Sequence, residues 1–226
     1  MNNACFLLIV VLFSSCQNSS PPPIEQERSE NVQLVESIDF EILRDTSVHF
    51  LWRENVYDDE IQDSVNSIVI NESYVKIISP SEKAALAYVS TFIGNDCWWD
   101  GSMNEERSNL KCTILTALNL GYQCSDGHLG LIRKWFSRDK TVLNEIVNCP
   151  TIPYTSTMQN TFEAIDIKRM QDTLEIFFAV TQMNMREGIN TKYTENNIFK
   201  VNQNGLNLIS KEMSEFVKSK MTIGVE

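Results

Sequence analysis

Cys124 and His128 stand at a C-x3-H spacing. With Cys112 and Cys149 they could nominally offer zinc three thiolates and one imidazole. A C-x2-C knuckle is absent, and two pairs of cysteines in an oxidising compartment join as disulfides instead. A Cys–His nucleophile needs a free thiol and a base oriented by a third group, and no such set is legible. Only His49 and His128 exist, so any histidine catalyst is one of the two. His128 falls in the first turn of a predicted helix, where the N-terminal dipole favours neutral imidazole. No G-x-S-x-G elbow, Gly-rich phosphate loop or H-E-x-x-H accompanies it, and the plainer reading is a half-buried surface histidine.

The second chemical signal is Asp96-Cys97-Trp98-Trp99-Asp100-Gly101, paired indoles flanked by carboxylates. Such a hexad suits stacking on a sugar ring or aromatic ligand, although two tryptophans beside a disulfide also fill cores. Asp96, Trp98, Trp99, Asp100 and His128 are therefore the candidate ligand-binding residues. Arg133, Lys134, Arg138 and Lys140 form the one basic cluster, at the end of a helix whose carbonyls they complement. It reads as a solvated face or as an anion or headgroup contact. No catalytic residue, metal set or cofactor is assigned.

The elements that must position these groups lie between Cys97 and Cys149. Glu105–Leu120 carries Leu110, Ile114, Leu115 and Leu118 at helical spacing, with Gly121 to end it. Along such a helix Cys112 and Cys124 would be about 18 Å apart at about 1.5 Å per residue, beyond the roughly 7 Å a disulfide spans. Ser125 or Asp126 caps a second helix with Leu129, Ile132, Trp135 and Phe136 on one face, and a third runs from Lys140 to Val147. An antiparallel hairpin of these two brings Cys124 to Cys149 and leaves Cys97 for Cys112.

Residues 1–15 hold no charged side chain, and Phe6–Phe13 is a continuous apolar run, too short to span a bilayer and suited to a secretory signal. It closes on Leu12-Phe13-Ser14-Ser15-Cys16, which resembles the lipobox of bacterial lipoproteins. The resemblance implies lipidation of Cys16 and a membrane contact through that lipid. Residues 16–32, with Pro21-Pro22-Pro23, then read as an extended tether. The expected location is the bacterial cell envelope.

The chain has 30 acidic and 19 basic residues, a net charge of −11. Residues 25–63 hold twelve acids against Arg28, Arg44 and Arg53, a net of −9, which leaves −2 for the rest. With no basic stripe, nucleic acid is excluded as a partner. The acidic run is either a solvated lead-in or a surface for a cationic protein.

Residues 33–226 suit one α+β domain, helical over 79–148 and mainly β over 155–210. Residues 33–68 are ambiguous: Val48, Leu51, Trp52 and Val56 fit a helix, and Val48–Trp52 alone fits a strand. Ser67–Ile70 and Tyr74–Ile78 read as a hairpin around Asn71-Glu72-Ser73. Ser79-Pro80-Ser81-Glu82 is a capping box opening a helix to about Phe92. Thr161–Lys168 and Thr173–Thr181 alternate as strands around a turn at Arg169–Asp172. A third strand covers about Asn197–Asn202, a fourth Leu206–Ile209, and Glu212–Lys218 a terminal helix. This disulfide-stapled helical region followed by an antiparallel sheet draws a curved sheet cupping a helix, as in nuclear-transport-factor-like or cystatin-like domains.

The functional expectation is a lipid-anchored, non-enzymatic binding module. Alternatives are an envelope hydrolase acting on glycan or cell-wall material near Asp96, Trp98, Trp99 and His128, and an immunity or inhibitor protein against a basic enzyme.

Overall fold

The computed structural model describes residues 47–93, 97–99, 110–149, 157–203 and 205–221. The leader, Cys16, the tether and residues 33–46 lie outside them, as do Asp96 and Asp100. Among the described residues no helix is long and apolar enough to cross a membrane.

The main sheet has seven strands in the order β2-β1-β5-β6-β7-β8, all pairings antiparallel, with β9 also on β7. Its strands are β1 (Val48–Asp58), β2 (Asp63–Ile70), β5 (Met158–Met170), β6 (Thr173–Asn184), β7 (Ile189–Asn202), β8 (Gly205–Met213) and β9 (Val217–Lys220). A two-stranded ribbon adds β3 (Trp98–Trp99) and β4 (Leu110–Lys111). The helices are α1 (Glu72–Ile77), α2 (Pro80–Phe92), α3 (Thr113–Ala117), α4 (Asp126–Trp135) and α5 (Lys140–Glu145). The α+β class stands, with the helices inserted between β2 and β5 rather than ahead of the whole sheet.

Period-two alternation explains how β6 divides its faces. Leu174, Ile176, Phe178 and Val180 are buried, while Phe177 on the opposite face is 39% exposed. Against the inner face lies α2, opened by its capping box: Glu82 N–H donates to Ser79 Oγ, and Ser79 N–H donates to Glu82 Oε2. Small residues Ala84, Ala85 and Ala87 allow close approach, and Tyr88 reaches into an aromatic cluster. Its ring centroid lies 5.4 Å from that of Phe136 and 5.9 Å from that of Phe199. This cluster joins α2, the end of α4 and β7. Arg169 at the end of β5 meets the buried Glu82, Nη1 to Oε1 3.8 Å, and so holds the start of α2 to the sheet.

Cys97 pairs with Cys112 and Cys124 with Cys149, the pairs expected from an antiparallel hairpin of the two later helices. The bridge to Cys97 also corrects the long helix expected over 105–120. It draws Leu110–Lys111 alongside Trp98–Trp99 as a ribbon, so the helix begins only at Thr113. Positive φ at Asn119 and Gly121 ends that segment; residues 105–109 lie outside the described set.

Three further expectations change. Tyr74–Ile78 falls mostly in α1 rather than in a strand, because Asn71 acts as an N-cap: its Oδ1 accepts from Tyr74 N–H at 3.0 Å. The hairpin partner of β2 is instead β1, which settles residues 48–58 as strand. Glu212–Lys218 is not a helix, because the edge of β7 offers pairing beyond β8. There β9 joins Ile189–Lys192, and Ser214 N–H donates to Thr194 O at 2.9 Å. β structure therefore also lies outside 155–210, in β1 and β2 ahead of the helices and in the end of β8 and β9 after residue 210.

Candidate functional site

Of the five candidate ligand residues, only His128 has a described side chain, and it is fully buried. Nδ1 accepts from the Cys124 N–H at 3.0 Å, and Nε2 lies 2.9 Å from the Ala87 carbonyl oxygen. A carbonyl only accepts, so Nε2 carries the proton and the ring is the neutral Nε2–H tautomer. Thr91 Oγ1 stands 3.2 Å from Nε2 and itself donates to Ala87 O at 2.7 Å. Burial pushes the His128 pKa down, against a smaller raising by the hydrogen bond to Ala87. The half-buried surface histidine of the plainer reading is thus a core histidine: it ties α4 to α2, with neither nitrogen left for a substrate. Trp98 and Trp99 pair through the backbone with Lys111 and Leu110, while Asp96 and Asp100 lie outside the described residues. With all four body cysteines bonded, the zinc set and the thiol nucleophile lose their ligands.

Some other enclosed polar groups are matched to one another, while Thr181 Oγ1 and Asn197 Oδ1 are buried without a hydrogen-bond partner among the described residues. Glu195, 6% exposed on the helix-facing side of β7, accepts from Asn197 Nδ2 at 2.9 Å and stands 3.7 Å from Lys211 Nζ. Tyr88 donates to Glu145 at 2.5 Å; burial, then that hydrogen bond, push its phenol far up. Tyr74 is pushed up by burial and by Glu82. These phenols remain neutral and supply no base.

The β1–β2 hairpin runs on past its pairing with β5. β1 pairs with β5 only from Val48 to Leu51, whereas β1 and β2 remain paired to Asp58 and Asp63. Beyond Leu51 the two strands therefore run on as an arm, about 20 Å long at about 3.3 Å per residue. Its root is held by Arg53, where β5 carries a bulge between Phe162 and Ala164. Arg53 Nε donates to Phe162 O at 3.1 Å, Nη1 to Asn66 O and Oδ1 at 3.3 Å, and Nη2 to Thr161 Oγ1. Gln62, at φ 54°, turns the tip, and Asp58 Oδ1 accepts from Glu60 N–H at 2.8 Å.

Residues 54–66 contain Glu54, Asp58, Asp59, Glu60 and Asp63 and no lysine or arginine. Val56, Tyr57 and Ile61 are 45%, 60% and 59% exposed. Acids and large apolar side chains thus share one narrow, two-sided surface, which suits a cationic protein face with apolar contacts. Part of the acidic run read as a possible lead-in is this arm. The signal that could have found it is the pair of β-rich runs, Val48–Tyr57 and Ser64–Ile70, bracketing Asp58-Asp59-Glu60.

No family model, curated protein or solved structure matches the chain.

Proposed function

We propose that this protein is a non-enzymatic binding module of the bacterial cell envelope, anchored by lipid on Cys16, whose β1–β2 arm receives a cationic protein. The observation that carries this reading is the arm itself, with five acids, no base, and three large apolar side chains turned to solvent. Two disulfides support an oxidising compartment. The fold, with α2 against the inner face of the β5–β8 meander, we read as nuclear-transport-factor-like or cystatin-like.

The test is binding of the full chain to a panel of basic enzymes, lysozyme included, at rising salt. Capture that weakens by about tenfold between 50 and 500 mM salt, and is lost on Asp59→Lys with Glu60→Lys, supports the reading. Salt-independent capture, or capture unaffected by that variant, removes it. Intact mass with and without reductant tests the rest: an acylated N-terminal Cys16 and two bridges are expected. An unmodified leader would refute the anchor.

A further inference from the structure

Three clefts differ in what their walls leave unused. One of about 540 Å³ lies among Ile68, Ile70, Val75 and Ala117, and nothing in the structure shows what covers it. A second, of about 270 Å³, surrounds Arg53, whose guanidinium is already engaged by β2 and β5. The third, of about 380 Å³, lies where α4 ends and β7 turns into β8. Its walls include Trp135, Ser137, Arg138, Asn202, Gln203 and Asn207.

This third cleft is held from both sides. Asp139 caps α5 through Oδ1, which accepts from Thr141 and Val142 N–H, while its Oδ2 accepts from Leu208 N–H at 2.7 Å. The α4–α5 corner is thereby fixed to β8. Asn202 Nδ2 donates to Asn207 Oδ1 at 3.0 Å across the turn. Gly205 lets the turn approach the helix end, since a Cβ there would stand 3.0 Å from the Trp135 carbonyl oxygen. Arg138 makes no ion pair or hydrogen bond among the described residues, nor do Arg133, Lys134 or Lys140 around it. These four cations lie within residues 133–140 of an acidic protein, and of the four it is Arg138 that lines this polar cleft.

We propose that this cleft binds a sugar carrying a carboxylate or phosphate. The half-buried Trp135 lines the cleft and would meet ring C–H groups, while the carboxamides of Gln203 and Asn207 would donate to and accept from hydroxyls. Arg138 pairs the charge in a forked geometry, and its neighbours raise the local anion concentration. The volume falls within the roughly 300–1,000 Å³ of small-molecule pockets. This site is separate from the arm and does not depend on it.

Titration of the full chain with glucuronate, glucose 6-phosphate, glucose and inorganic phosphate, read by tryptophan fluorescence and by amide shifts, decides it. The two charged sugars are expected to shift Trp135 and the Gln203 and Asn207 side-chain amides, and to bind at least about tenfold more tightly than glucose or phosphate. Arg138→Gln, at an exposed position, should remove that preference while circular dichroism stays unchanged. Gly205→Ala should weaken both sugars by displacing the turn. Equal binding of inorganic phosphate overturns the sugar assignment. Binding unchanged in Arg138→Gln, or seen only with phosphatidylglycerol vesicles, overturns the cleft.

Discussion

The helical layer between β2 and β5 and the arm of β1 and β2 are opposites in construction. The layer is fixed several times over: two disulfides, a capping box, a core histidine and interlocked aromatic rings hold the same few helices. The arm past Arg53 has its hairpin ladder, one turn, and apolar side chains in water. A lone hairpin gains little from its own backbone. The contrast teaches that residues 54–66 add little to the fold, so their composition reports on what they meet.

Substitutions can break that contrast, and the largest effect should come from the aromatic cluster. Phe199→Ala removes a fully buried ring between Tyr88 and Phe136 and should cost about 3–5 kcal/mol in urea unfolding. Replacing both Cys124 and Cys149 by serine should cost about 2–4 kcal/mol, and reductant should then cost this variant less than the parent, because only Cys97–Cys112 is left to break. Ser79→Ala, which deletes a cap that also meets Arg169, should cost about 1 kcal/mol. Tyr57→Ala and Ile61→Ala should change stability by no more than about 0.5 kcal/mol while weakening capture of a basic protein. A loss above about 2 kcal/mol at either would show that the arm is part of the core and end the comparison.

Acidity sharpens the same contrast. Because burial lowers the His128 pKa in the folded protein, the unfolded chain takes up the proton first as pH falls through about 6.5, the ordinary imidazole value. The stability attached to neutral His128 is complete above that pH and declines below it. At pH 6.5, where a free imidazole is half protonated, nitrogen shifts of folded His128 should show mainly the Nε2–H form; a mainly imidazolium signal there would contradict the buried arrangement.

Local rules made part of this molecule legible. Ser79, Pro80 and Glu82 announce α2 within four residues, and the alternation from Thr173 to Thr181 announces β6. The cysteine pairing was read from an antiparallel hairpin of the two helices after Cys124, with helix length disfavouring only Cys112 with Cys124. What failed depended on distant partners. Asn71 serves turns and N-caps equally well, and its place is fixed by bonds to β1 about 20 residues away, from its N–H to Phe50 O and from Nδ2 to His49 O. β7 carries Asn190, Lys192, Glu195, Asn196, Asn197 and Lys200, poor strand formers that hold their shape because β6 lies alongside. The candidate site divides in the same way. The basic cluster was visible at the end of α4, but the cleft beside Arg138 needs Asn202 of β7, Gln203 of the turn and Asn207 of β8. His128 was conspicuous as a residue, while its enclosure is set by Ala87 and Thr91 on another helix.

The two sulfur bridges close loops of modest span, 15 and 25 residues apart in sequence, both wholly between β2 and β5. A protease that cuts once inside either loop therefore releases nothing: the severed ends stay on one molecule, which migrates as a single band until a thiol is added. A cut at the tip of the arm, between Asp58 and Asp63, has no such tether and parts the chain outright in denaturant.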